Sequence, residues 1–360
     1  TIISLLLVCL VVGLSACNKK PEGEPDRTGS WSHINQTITR PANWQQLVTD
    51  SLFQLGEKRR AGTWQQPGGP VDYYNIDMGS YPRMDGSTVC VPMALEFARQ
   101  HLGLSDEDAA SFVRFSTTNF AYRNLITKER VSSGYIQSAR VFAEEGPVDI
   151  IFVTEPSDEE LALAEEHQVK LFMEPICFNS FVMITHKDNP VDSLTVEHIQ
   201  EIYSGEITNW KDVGGNDLPI APYQREQNSG SQTTMEKRVM QGKKMLEHNM
   251  VNVILGMGEL IKTVGEYENS PASIGYTFKY YIDTLYKSDK IKVLKIDGVE
   301  PSSENMRNGT YPFTTNYFAV TLDGDAESIG AKFLQWLLTD EGQRCIEQAG
   351  YCPLRARDNK

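Results

Sequence analysis

This sequence has little of what catalysis usually needs. It has 6 histidines among 360 residues, His33, His101, His167, His186, His198 and His248, and none falls in the small-residue loops discussed below. A serine nucleophile needs a base within hydrogen-bond reach and a third group to orient that base. The spacings G-x-S-x-G, C-x-x-C and H-E-x-x-H do not occur, so hydrolytic and metal-dependent chemistry have no motif to stand on, and no cofactor is expected. Positive charge is also short: 34 Lys and Arg face 48 Asp and Glu, a formal net charge of −14. That excludes the basic footprint of a nucleic-acid binder. It does not exclude a small anion, because distant surface charge is screened within about 10 Å while a few aimed donors act locally. After residue 16 no apolar run reaches the roughly 20 residues a membrane span requires. Repeats are missing too. What remains, 40% hydrophobic and 23% charged residues, is a globular composition, and 360 residues suffice for two or three domains.

The first 16 residues are almost wholly apolar, short for a span, and fit the apolar core of a secretory signal. Leu14-Ser-Ala-Cys17 resembles the lipobox of bacterial lipoproteins. That resemblance implies a lipoprotein signal peptide over 1–16, a lipid on Cys17, and a protein anchored to the membrane on its extracytoplasmic side. Residues 17–70 are expected to be a tether and an accessory segment; Lys19 to Ser30 has a flexible, Pro- and Gly-bearing composition. Of the six cysteines, Cys90, Cys177, Cys345 and Cys352 lie outside these segments. Cys345 and Cys352 can pair across a short loop, or all four can be buried thiols.

From Val71 onward the pattern is α/β. Strands are expected at Tyr74–Ile76, Ser111–Phe115, Val148–Val153, Phe178–Thr185 and Tyr311–Leu322, and Ser273–Tyr281 and Ile291–Ile296 continue the α/β pattern. Val148-Asp-Ile-Ile-Phe-Val153 is dense enough in apolar residues for a buried parallel strand. Helices are expected at Met93–Leu102, Phe120–Ile126, from Ser157, at Leu194–Tyr203, from Met235, and as one amphipathic element over Gly330–Gln343.

The most informative stretch is Tyr223-Gln-Arg-Glu-Gln-Asn-Ser-Gly-Ser-Gln-Thr-Thr-Met235. It places Ser229, Gly230 and Ser231 where a helix begins, with unpaired backbone N–H groups and the positive end of the helix dipole. The serines add hydroxyls, glycine permits close approach, and Arg225 adds a permanently charged fork of donors. Asp85-Gly-Ser-Thr-Val-Cys-Val-Pro92 is a second hydroxyl-bearing loop that enters a helix. Two such loops can clamp one tetrahedral oxyanion. Thr88, Thr118 and Glu155 are expected just beyond three strand ends, the rim on which open α/β sheets bind ligands. The plainer alternative is ordinary helix capping with a surface arginine.

Taken together these motifs resemble the extracytoplasmic phosphate-binding proteins of ABC importers, of the type II periplasmic-binding-protein family. The resemblance rests on Gly86-Ser-Thr88 with Pro92, on Asp149 through Ser157-Asp-Glu-Glu-Leu161, and on Asp192-Ser-Leu-Thr195 with Ile202-Tyr-Ser-Gly-Glu-Ile-Thr-Asn-Trp210. Arg225-x-x-x-Ser-Gly-Ser231 and Ser273-Ile-Gly-Tyr276 complete it. It implies an α/β, two-lobed fold with a hinge and an interlobe cleft. Lobe I would hold residues 71–175 plus 313–360 and lobe II residues 176–312, with closure on the ligand. It implies a non-enzymatic, monomeric receptor that hands phosphate to an ABC permease and its ATPase. By the same resemblance Ser87, Thr88, the amide of Val89 and Thr118 would bind from one lobe, and Arg225, Ser229, Gly230 and Ser231 from the other. The family's usual Asp, acceptor of the ligand's proton, is matched by Glu155, one methylene longer; its usual Thr is matched by Ser231. A carboxylate at Glu155 would favour hydrogen phosphate, which can donate, over sulfate, which cannot. A receptor for another oxyanion, or a phosphate sensor with a signalling output, is the competing reading.

Overall fold

The computed structural model describes residues 81–105, 109, 113, 115–129, 147–247, 253–254, 256–266, 270–322 and 327–355. The expected signal peptide, the lipidation site at Cys17, the tether and the strand at Tyr74–Ile76 all lie outside the described residues.

One long strand, Leu171–His186, organises the fold. Strands follow in the order Met84–Gly86, Ile150–Val153, Thr314–Leu322, Leu171–His186, Ser273–Phe278, Ala221–Pro222, so the chain is α/β with a mixed sheet. The first part of the long strand pairs antiparallel with Thr314–Leu322, and Cys352–Pro353 pairs with it as well. Its last residues, from Phe181, pair instead with Ser273–Phe278 and Ile291–Val293. One strand is thus shared by two lobes. A register shift at Tyr317/Phe318 skips Ile176, next to Pro175. Proline cannot donate to a ladder, and a bulge is where a strand tolerates one.

The first lobe is layered as its sequence dictates. In Ile150–Val153 all four residues are buried; Ile150 and Phe152 join one core cluster, Ile151 and Val153 the other. Alternation across the pleat sends them to opposite faces, and both faces are covered. On one face helix Val91–Leu102 packs Phe97 edge-on to Phe333 and Trp336 of helix Ile329–Leu337. On the other, helix Thr118–Thr127 brings Ala121, Tyr122, Leu125 and Ile126 against the sheet, beside helix Asp158–Glu166. In the second lobe, helix Val196–Ser204 buries Ile199, Ile202 and Tyr203, and helix Met257–Glu266 buries Leu260, Ile261 and Val264.

Two expectations need correction. The segment expected as a strand at Ser111–Phe115 is not one at its described residues Val113 and Phe115. Ala109 donates its amide to Ser105, and Val113 to Ala109, both at 2.9 Å, which are helical bonds. Ser105-Asp-Glu-Asp is itself a helix-start signal. The single helix expected at Gly330–Gln343 is two, Ile329–Leu337 and Asp340–Gln348. Thr339 ends the first and caps the second, its hydroxyl accepting from Gly342 N at 3.1 Å. Cys90, Cys177, Cys345 and Cys352 are all free thiols. Among the described residues no helix is long and apolar enough to cross a membrane, and no cluster of His, Cys, Asp and Glu could hold a metal.

Candidate anion-binding site

Strand ends deliver the site. Met84–Gly86 runs parallel to Ile150–Val153, so the loops after Gly86 and Val153 emerge at the same edge. At Gly86 a Cβ would sit 2.3 Å from the Phe152 carbonyl oxygen, a distance only glycine permits here. The adjacent Ser87 amide donates to that carbonyl at 2.8 Å. Ser87 therefore keeps only its hydroxyl for a ligand, whereas Thr88 and Val89 open the helical run Thr88–Cys90 and Val91–Leu102, where amides have no partner one turn back. Val89 has its side chain in the core, and its carbonyl accepts from Tyr351 Oη at 2.6 Å. The exposed Thr88 Oγ1 lies 2.5 Å from Tyr281 Oη of the second lobe. Burial pushes the Tyr281 phenol up to about 12, so it stays a donor at neutral pH.

Asp85 fixes the next loop. Its wholly buried carboxylate accepts from the Gly86 amide (2.7 Å), from the Ser116 amide and hydroxyl (both 2.6 Å) and from Asn124 Nδ2 (2.9 Å). This fourfold hold supports Thr117, whose φ of 85° and ψ of 165° belong to a region populated almost only by glycine. The strained turn directs Thr118, buried at 5% exposure, into the start of its helix.

The second lobe brings the other helix start. Helix Gly230–Thr234 continues without a break into the π-helical segment Met235–Met240, eleven residues with one N-terminus. Ser229 caps it, Oγ accepting from Gln232 N at 3.3 Å, which leaves the hydroxyl proton to donate outward. At Gly230 a Cβ would meet Thr154 Oγ1 at 2.5 Å and Thr118 Oγ1 at 2.8 Å. The two lobes touch here, hydroxyls of one against bare backbone of the other. Ser231, 2% exposed, lies with its Oγ 3.3 Å from Arg225 Nη1. Arg225 is held at 7% exposure: Nε donates to the Ile254 carbonyl at 2.8 Å, and its amide donates to Tyr276 Oη at 2.9 Å. Burial pulls the Arg225 guanidinium below its ordinary value, with Tyr281 and Glu226 acting against that. A buried cation of this kind gains from an anion placed beside it.

Glu155 is placed differently from an open acceptor. It is buried, and both carboxylate oxygens meet Arg238 of the π-helical segment, Oε2 receiving Nε at 3.2 Å and Oε1 receiving Nη2. Sequence reasoning missed three residues here. Tyr281 reaches Thr88, and Arg238 reaches Glu155. Thr154 has a fully buried Oγ1 with no hydrogen-bond partner. An unsatisfied buried hydroxyl costs about 1–3 kcal/mol, which a ligand oxygen can remove. Thr154 carries a weak signal in sequence: it is the polar residue that ends a dense apolar strand.

Comparison with known proteins fits this geometry. Residues 130–341, more than half of the chain, match the family described as a PBP superfamily domain. The chain is 27% identical over 216 residues to the phosphate-binding protein PstS of Bacillus subtilis, covering 58% of this chain and 66% of that protein. It is 24% identical over 184 residues to PstS of Borreliella burgdorferi, covering 49% of this chain and 64% of that protein. The matches thus span just under two thirds of these relatives' own length. Among solved structures, a phosphate ABC transporter substrate-binding protein with bound phosphate from Clostridium perfringens superposes with a TM-score of 0.57 at 25% identity, over 76% of this chain and 100% of that one. A phosphate transport receptor from Vibrio cholerae shares the fold, with a TM-score of 0.52 at 21% identity over 75% of this chain and 99% of that one. The chain belongs to the PBP superfamily and has its two-lobed α/β fold.

Proposed function

We propose that this PBP superfamily member captures inorganic phosphate between its lobes and delivers it to an ABC permease and its ATPase, without covalent chemistry. One observation carries the reading. The helix start at Gly230 meets the Thr118 and Thr154 hydroxyls of the opposite lobe, with the buried Arg225 guanidinium behind Ser231. A tetrahedral anion suits such a meeting, because helix-start amides, hydroxyls and one guanidinium donate from several directions. The phosphate-binding names of the relatives and the bound phosphate of the Clostridium perfringens neighbour support it.

In this reading Ser87, Thr88, the Val89 amide, Thr118 and Glu155 act from a first lobe of residues 71–175 plus 313–360. Thr154 joins them. Arg225, Ser229, Gly230 and Ser231 act from a second lobe of residues 176–312, and the lobes close about two crossings, one near Cys177–Thr185 in the shared strand Leu171–His186 and one near Tyr311–Phe318. Cys17 would carry a lipid that holds a monomer at the extracytoplasmic face of the membrane, with the first 16 residues as its signal.

A second reading, a receptor for an oxyanion without a proton to donate, holds if the Glu155 carboxylate serves Arg238 alone and offers the ligand no acceptor. Calorimetric titration with phosphate and then sulfate at neutral pH separates the two. Tight phosphate binding without a sulfate response supports the first; tight sulfate binding supports the second. Arg225→Ala should abolish measurable binding, and retained affinity would place the site elsewhere.

A further inference from the structure

The helical run that begins at Gly230 meets the first lobe more than once. Its N-terminus abuts Thr154. Further along, Arg238 grips Glu155, the very next residue after Thr154, and Lys237 Nζ donates to Asp158 Oδ1 at 2.8 Å. The loop before the helix adds Asn228 Nδ2 to Glu159 Oε2 at 2.5 Å and Gln227 Nε2 to Glu159 Oε1 at 3.2 Å. The segment carrying Lys237 and Arg238 is π-helical. A wider turn reduces the angle between successive side chains, so neighbours can face the same partner; such segments often mark functional sites.

The contacts in this row are unequal. Asp158 and Glu159 have side chains at the surface, and exposed pairs of this kind contribute little. Glu155 is different: its side chain is 4% exposed against 45% for Arg238. A carboxylate taken so far out of water depends on its partner, and that partner comes from the other lobe. The guanidinium binds along one edge, using one acceptor direction on each oxygen; each oxygen keeps another.

We propose that Arg238 is a positioning residue of the anion site: crossing from the second lobe as the lobes meet, it fixes the Glu155 carboxylate so that its remaining acceptor directions serve a ligand O–H. This rests on the phosphate-receptor reading and deepens it. The site's discriminating acceptor is then incomplete in either lobe alone, and is assembled by closure. Phosphate would be selected in the closed state, through a slower release, rather than at first encounter.

The test measures phosphate association and dissociation by stopped-flow, and phosphate and sulfate affinities by calorimetry, for the full chain, Arg238→Gln, Arg238→Lys, Glu155→Gln and the Arg238→Gln/Glu155→Gln double variant. Arg238→Gln should speed phosphate release by about 10-fold to 100-fold, the range for a lost hydrogen bond to a charged group. Its association rate should stay within about threefold, since among variants of one site most affinity change lies in release. The phosphate-to-sulfate affinity ratio should fall, and Arg238→Lys should restore part of it. In the Glu155→Gln background, Arg238→Gln should have little further effect, because the two act as a unit. Arg238→Gln leaves the buried Glu155 carboxylate without its partner, so melting temperatures of Arg238→Gln and of the double variant, which keeps no unpaired charge there, separate a loss of stability from a loss of selectivity. Equal losses for phosphate and sulfate, or additive losses in the double variant, would overturn the positioning role. A wild type that takes up no phosphate overturns the functional reading and this inference with it. A wild type that binds, matched by Arg238→Gln, overturns this inference alone.

Discussion

Gly230→Ala is a small change at the point where the lobes meet. The added methyl would lie 2.5 Å from Thr154 Oγ1 and 2.8 Å from Thr118 Oγ1. Both neighbours are buried threonines on segments held by other bonds: Tyr122 Oη donates to the Thr154 carbonyl at 2.8 Å, and Thr118 follows the Asp85-anchored turn. Neither can yield cheaply, and overpacking of this kind costs about 1–3 kcal/mol. That cost falls only on the closed arrangement. With the lobes apart, alanine suits a first helical position and removes freedom from the unfolded chain, a gain of about 0.4–1 kcal/mol. The two effects separate in measurement. Phosphate affinity should fall about 5-fold to 150-fold at a tenfold per 1.4 kcal/mol, while the ligand-free melting temperature holds or rises slightly. Isothermal titration and scanning calorimetry on the same preparation read both. An alanine variant that binds phosphate within about twofold of wild type would refute the placement of Gly230 against these hydroxyls. So would a clear drop in ligand-free stability, since the methyl would then clash inside one lobe.

Thr154→Val keeps volume and β-branching but removes the buried, partnerless hydroxyl; stability should rise by about 1 kcal/mol while phosphate affinity falls, read by melting and by titration. Asp85→Ala removes the shared acceptor of four hydrogen bonds behind the strained Thr117 turn and should destabilise the fold by about 3 kcal/mol or more in urea unfolding. Burial pushes the Glu160 carboxyl up to about 7, against hydrogen bonds from Ser157 and Asn119. The folded state then binds a proton the unfolded chain releases, so this contribution is full below about pH 4.5 and is lost as pH rises through about 7, some 3 kcal/mol in all. Glu160→Gln, still able to form a capping box, should flatten that part of the stability profile between pH 5 and 8.

The legible part of this site was the part built from local chemistry. Ser229-Gly-Ser231 could be placed at a helix start because capping depends on neighbours within one turn, whereas Thr118, expected beyond a strand at Ser111–Phe115, opens a helix instead. Gly86 could be singled out because a bare loop feeding a helix is a local pattern. Tyr281 and Arg238 could not, because their roles exist only through contacts across 193 and 83 residues, to Thr88 and Glu155. Glu155 shows the same limit from the other side. Its type and position were visible, but its engagement with a guanidinium from the other lobe was not. At the level of fold, Ile150–Val153 was plain because it is apolar on both faces. Ser111–Phe115 misled because a short apolar-rich run fits a strand or a helical turn equally well, and the deciding signal lay upstream at Ser105.

The shared strand Leu171–His186 bears on how the molecule comes apart. It supplies an inner strand to both lobes, so neither lobe can keep its sheet if the other loses its portion. A chain cut between the lobes would leave two fragments with bare, hydrogen-bonding edges, prone to pair with other chains. Heating should therefore give one cooperative calorimetric transition rather than two. A ligand held at the cleft should raise that single transition as a whole, protecting amides far from the site in both lobes alike.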